Sequence, residues 1–141
     1  MKASLHPGVS RVNRLMVDRA RTIDFLGEQG RTYSTPSMIL DIEQTCRDLV
    51  IEHTDDGEDS VGTEVMIRHL APTPLGMNVT ITVKILSVKG RRVQLEATVS
   101  DELEVVGSGT HERFVIDKAS ALERLKLKAA RRSQHPDMGT P

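Results

Sequence analysis

Aromatic side chains are almost missing from this sequence: Phe25, Tyr33 and Phe114 are the only three in 141 residues. A binder of single-stranded nucleic acid needs faces on which bases stack, and so few rings cannot supply them. Cysteine is nearly absent as well. Cys46 stands alone, which excludes an intrachain disulfide and a zinc site built on cysteine pairs. Neither sign of charge dominates: 19 Lys and Arg against 20 Asp and Glu leave a net charge of −1, so no field points to nucleic acid or to an anionic membrane. No apolar run approaches the roughly 20 residues needed to span a bilayer. Residues 1–8 lack the apolar stretch of a signal peptide, and the expectation is a cytoplasmic protein. There is no internal repeat, no low-complexity segment and no Gly-x-Ser-x-Gly nucleophile elbow.

What is present is the patterning of one α+β domain. Ser10 to Asp18 reads as a first strand, and a short apolar group, Ile23, Phe25 and Leu26, closes at Gly30. A helix is expected over 36–53. Thr35-Pro36 offers an N-cap and a proline in the first turn, and Ile39, Ile42, Cys46, Leu49 and Val50 follow at helical spacing. Asp41, Gln44, Arg47 and Asp48 fall mostly off that stripe. An acidic loop, 55–60, leads into strands. Val61, Thr63, Val65, Ile67 and His69 alternate with Gly62, Glu64, Met66, Arg68 and Leu70, and Val79 to Ile85 and Val93 to Val99 alternate likewise with polar neighbours. Val105 to Ile116 makes a last long strand. Short turns at Lys89-Gly90-Arg91 and Asp101-Glu102 make these strands an antiparallel meander. Leu122, Leu125 and Lys126 open a basic helix running to Arg132, read as a solvated face.

Two residues stand out chemically. Glu43 lies four positions after Ile39 and three before Cys46, within or beside the apolar stripe. It is either a partly desolvated acid or base, or an edge carboxylate that reaches past the stripe to solvent. His69 ends a strand alternation and shares its face with apolar residues. It is either a proton carrier near Glu43 or a histidine satisfied by backbone. Thr35 reads first as the helix cap. On a continuous helix it stands roughly 12 Å from Glu43, so the two share a site only if the first turn is irregular or a partner chain contributes. Gly107 and Gly109 inside a strand mark a close approach of backbone or ligand. Arg113 is either a phosphate contact or a salt-bridged strand arginine. The histidines show no metal-ligand spacing.

The set Val61-Gly62-Thr63, His69-Leu70-Ala71-Pro72-Thr73-Pro74-Leu75-Gly76, Lys89-Gly90-Arg91-Arg92 and Gly107-Ser108-Gly109-Thr110-His111-Glu112-Arg113 resembles the fluoroacetyl-CoA thioesterase family over about residues 9–128. The resemblance implies a hot-dog fold: one long central helix against an antiparallel sheet, here with a C-terminal helix added, working as a homodimer. It implies a catalytic set at Thr35, Glu43 and His69, a thioester contact at Gly62, and further substrate contacts at Arg113 and Tyr33. It shifts the balance for Glu43 and His69 to the catalytic reading. The segment before the helix offers Leu26, Gln29 and Tyr33 where the fluoroacetyl-selective member carries phenylalanines, and Pro36 follows the threonine. The resemblance therefore implies the reaction without implying the fluorinated substrate.

The expected organisation is a flexible start at 1–8, a hot-dog thioesterase domain over 9–132 and a disordered tail at 133–141. The expected function is hydrolysis of a short or small acyl-CoA to acid and coenzyme A, with no metal and no cofactor beyond the coenzyme A of the substrate, and with neither nucleic acid nor membrane as partner. The rivals are an acyl-CoA-sensing module on the same fold and a hot-dog hydratase. The aspartate–histidine pair within one helix that the hydratases use is not found here.

Overall fold

Ser34 starts the long helix, one residue before the expected cap. Its hydroxyl accepts from the backbone N–H of Ser37 at 3.2 Å, so Thr35 is already helical, Pro36 sits in the first turn, and α1 runs Thr35–Ile51. The structure, a computed structural model, describes residues 1–134. Before α1 come β1 (Ser10–Met16) and a small ribbon of β2 (Thr22–Ile23) with β3 (Thr32–Tyr33). After it come β4 (Glu58–His69), β5 (Asn78–Lys89), β6 (Arg92–Ser100), β7 (Val105–Asp117) and the terminal helix α2 (Lys118–Arg132). The five long strands form one antiparallel sheet in the order β1-β5-β6-β7-β4.

The core lies between α1 and one face of this sheet. Met38, Ile42, Cys46, Leu49 and Val50 of the helix are buried, as are Val79, Ile81, Val83 and Ile85 of β5 and Val93, Leu95, Ala97 and Val99 of β6. The period-2 reading of those two strands holds residue for residue. Gly107 and Gly109 mark close approaches, as expected. A Cβ at Gly107 would stand 2.6 Å from the sulfur of Met38, and one at Gly109 would stand 1.9 Å from the carbonyl oxygen of Met66. Hence a long helix is laid across a curved antiparallel sheet, the arrangement that the resemblance implies.

Four further details differ from expectation. Asp41 is buried, because the Tyr33 hydroxyl donates to it at 2.5 Å and Arg21 donates through Nε at 2.9 Å and Nη2 at 3.2 Å. The acidic loop is shorter than read, since β4 begins at Glu58. The alternation across Val61, Thr63, Val65, Ile67 and His69 is broken. A β-bulge between Gly62 and Glu64 leaves Thr63 as the extra residue, so Val61 faces away from Val65. Residues 1–8 are tied down rather than loose: Lys2 N–H donates to His53 O at 2.9 Å, Gly8 N–H to Ile85 O at 2.8 Å, and Leu5 is buried. The expected tail lies, from residue 135 onward, outside the described residues. Among the described residues no helix is long and apolar enough to cross a membrane.

Leu95 is fully buried at the middle of β6, the central strand of the sheet. Leu95→Ala is expected to lower the unfolding free energy by about 2–5 kcal/mol in urea titration, since the site has no exposed edge through which to collapse.

Candidate active site

The chemistry-bearing side chains gather at two places on the α1 face of β4. At the far end of that strand, Thr35 Oγ1 lies 2.8 Å from His69 Nδ1. Helix and strand meet there because Thr35 opens α1 while His69 closes β4. The pair lines a cavity of about 300 Å³ with Ile23, Thr32, Tyr33, Ala71 and Pro72. His69 Nε2 is buried and has no hydrogen-bond partner among the described residues. Burial pushes the imidazole pKa below its usual value, against the opposing pull of the Ala71 backbone, so the ring is neutral and able to accept a proton at neutral pH.

Tyr33 stands edge-on to His69, with ring centroids 6.5 Å apart. Its hydroxyl is committed to Asp41, and burial together with that bond pushes its pKa up. Tyr33 therefore walls the cavity with its ring and does not present its hydroxyl there.

The second place lies where β4 bulges. Glu43, Gly62, Thr63, Glu64, Val65 and His111 line a cavity of about 250 Å³. Glu43 Oε1 is 3.6 Å from Arg113 Nη1. The arginine side chain is 3% exposed, whereas the glutamate keeps 43% of its surface open to the cavity. Each nitrogen of the Arg113 guanidinium is engaged: Nε donates to Ser60 Oγ at 2.7 Å, Nη2 to Ser60 O at 2.7 Å, and Nη1 to His111 Nε2 at 3.1 Å. It is a salt-bridged strand arginine turned inward, beyond the reach of a phosphate outside the site. Gly62 makes the room. A Cβ there would stand 3.0 Å from Glu43 Oε1 and 3.0 Å from His111 Cε1. Cys46, behind Glu43 on the helix, is inert, with burial pushing its thiol up to about 12.

The structure thus brings Thr35 to His69, and Glu43 to Gly62 and Arg113, but does not join the two sets within one chain. The first turn of α1 is regular, so the eight residues from Thr35 to Glu43 span roughly 12 Å. The sequence placed His111 on one strand face with Arg113 without giving it a role, and Ser60 was missed. The signal for His111 was its parity with Arg113 on one strand, since two residues sharing a face so close to a charge are neighbours of it.

The family model for fluoroacetyl-CoA-specific thioesterases matches residues 17–119. The fluoroacetyl-CoA thioesterase of Streptantibioticus cattleyicolor is 37% identical over 99 residues, covering 69% of this chain and 71% of that protein. This chain belongs to that family. The solved structure of the fluoroacetyl-CoA thioesterase FlK superposes with a TM-score of 0.81 at 29% identity, covering 88% of this chain and 97% of that one. A threonine-to-serine variant of FlK in complex with acetyl-CoA superposes at 0.80 and 27% identity, covering 88% and 98%. The hot-dog architecture is therefore established, and the two clusters sit on a thioesterase scaffold.

Gly62→Ala tests the steric reading. The backbone there needs no glycine-only conformation, but the added methyl meets the Glu43 carboxylate and the held His111 ring at 3.0 Å each, so the folded state is expected to lose about 1 kcal/mol or more. Turnover is expected to fall at least about tenfold as Glu43 is displaced. Thermal melting and steady-state rates on one preparation check both.

Proposed function

We propose that this protein hydrolyses a short or small acyl-CoA, with Glu43, His69 and Thr35 carrying the reaction across the interface of a homodimer. The supporting observation is the geometry of β4. It is an edge strand, and Val61, Val65 and Met66 are 44%, 41% and 65% exposed along it. A second copy pairing antiparallel through this edge, centred on Met66, sets the Gly62–Thr63 bulge of one strand opposite His69 of the partner subunit. The Thr35–His69 cluster of each chain then meets the Glu43–Gly62 cluster of the other. The 12 Å gap along the helix disappears, and the apolar edge is covered.

In that site the thioester carbonyl lies against Gly62, whose backbone N–H faces the developing oxyanion. Glu43 acts either as nucleophile, forming a mixed anhydride as the C–S bond breaks, or as base for the attacking water. Arg113 keeps a positive charge beside the carboxylate in either case. His69, neutral and with one ring nitrogen free, moves the proton to the departing thiolate. Thr35 orients that imidazole rather than Glu43. Water supplies the hydroxyl of the acid, and coenzyme A leaves as the thiol. The reading needs no metal, since side chains supply each acid–base step, and coenzyme A enters only as part of the substrate. A cytoplasmic location belongs to the same reading, because acyl-CoA is its substrate.

The test is thiol release from acyl-CoAs, acetyl to decanoyl and aryl, by wild type, Glu43→Ala and His69→Ala. Each variant is expected to lose about 10²-fold or more. Binding of the esters without turnover by the wild type would reject hydrolysis and leave an acyl-CoA-sensing module. Co-refolding the two inactive variants tests the shared site. Random pairing makes half of the dimers mixed, each with one intact site of two, so roughly a quarter of wild-type activity returns. If Glu43 and His69 of the same chain worked together, the mixture would stay inactive.

A further inference from the structure

His111 has no part in the proton transfers above, yet both of its ring nitrogens are held. Its Nδ1 lies 2.8 Å from the carbonyl oxygen of Glu64, and its Nε2 lies 3.1 Å from Arg113 Nη1. A carbonyl only accepts and a guanidinium only donates. Nδ1 must therefore carry the proton and Nε2 must offer its lone pair. An imidazolium would aim a second N–H at the arginine.

The position has two structural consequences. The Glu64 carbonyl belongs to the bulge that presents Gly62, so the Nδ1–H bond pins that bulge from the sheet side. On the other side, the guanidinium is a planar fork with five protons. Ser60 takes Nε–H and one Nη2–H, His111 takes one Nη1–H, and the remaining Nη1 proton is left for Glu43 Oε1 at 3.6 Å. Without the acceptor on His111, nothing on β7 holds Nη1 at that rotation.

We propose that His111 is a positioning residue, a neutral Nδ1–H imidazole that braces Arg113 against Glu43 and the bulge against both. The inference rests on the reading of Glu43 as the reacting carboxylate. The charged and titratable groups around the ring and its arginine are Glu43, Cys46 and Arg47 on α1, Asp59 on β4 and Arg113 on β7. Burial, and secondarily Arg113, push the His111 pKa down, which agrees with a neutral ring.

Two measurements decide it. In wild-type protein, nitrogen-15 NMR of the histidine side chains between pH 6 and 8 should show His111 neutral with its proton on Nδ1. A proton on Nε2, or a charged ring, overturns the proposal without any variant having to fold. The second measurement is kinetic. His111→Leu should lower kcat about tenfold or more and leave KM for acyl-CoA within about twofold. His111→Gln offers one N–H and one acceptor oxygen, and should recover kcat to within about threefold of wild type. In a Glu43→Gln background, His111→Leu should cause no further loss, because its effect runs through the carboxylate. Equal losses in the Leu and Gln variants, a rise in KM alone, or full additivity with Glu43→Gln would each overturn the proposal. If Glu43→Gln itself keeps wild-type turnover, the reading of Glu43 fails instead, and the NMR result still decides how His111 is held.

Discussion

Gly62 and His69 lie seven residues apart on one strand, an odd spacing that in a regular strand puts them on opposite faces of the sheet. The bulge between Gly62 and Glu64 cancels that parity. One extra residue lets Gly62 face the helix beside Arg113's strand position, while Val65, Ile67 and His69 face it further along. Every distance that gives the site its chemistry depends on this slip: Gly62 beneath Glu43, His69 beneath Thr35. Bulges also increase local twist, and here the twist falls at the edge strand of the sheet. The cost is a broken ladder at Thr63, whose hydroxyl bonds Glu112 instead.

A second constraint follows from burying Arg113. A cation at 3% exposure is stable only if its donors are matched. Ser60 alone matches two of them, through its hydroxyl and its carbonyl. The remaining direction is toward His111 and Glu43. The carboxylate can therefore stay half-open to the cavity and still have a fixed counter-charge behind it. A surface ion pair would give little of this, because solvent would screen it and the side chains would wander.

Legibility in the sequence followed how local each cause is. The buried strands β5 and β6 were readable because alternation over four apolar residues has one packing solution. Glu43 was readable because helical spacing placed it beside a buried stripe. His69 was placed on the correct face for an incomplete reason, since the alternation invoked from Val61 is interrupted before it reaches His69. The cap slipped by one residue because Ser34 and Thr35 are both good N-caps, and tertiary contact with His69 decides between them. Asp41 and His111 were not readable as buried polar groups. Tyr33 and Arg21, the partners of Asp41, and Glu64, which accepts from His111, come from other elements; strand parity sets His111 beside Arg113 but does not announce that either is buried.

The segment before the helix separates selectivity from chemistry. It is anchored at its base, where Arg21 and Tyr33 both bind Asp41, and shaped near its tip by Gly30, at which a Cβ would stand 2.5 Å from Leu26 Cβ. The tip itself carries Phe25 and Leu26 at 85% and 79% exposure. Its base contributes Ile23, Thr32 and Tyr33 to the wall of the His69 cavity. The acid–base groups sit on α1 and β4, held by contacts that do not pass through this tip. On the proposed reading, Thr35, Glu43 and His69 therefore keep their places whatever side chains the tip carries. Leu26 and Gln29 lie outside the wall of the His69 cavity. Membership of the family thus carries over the reaction, while the acyl group must be read from residues 23–35.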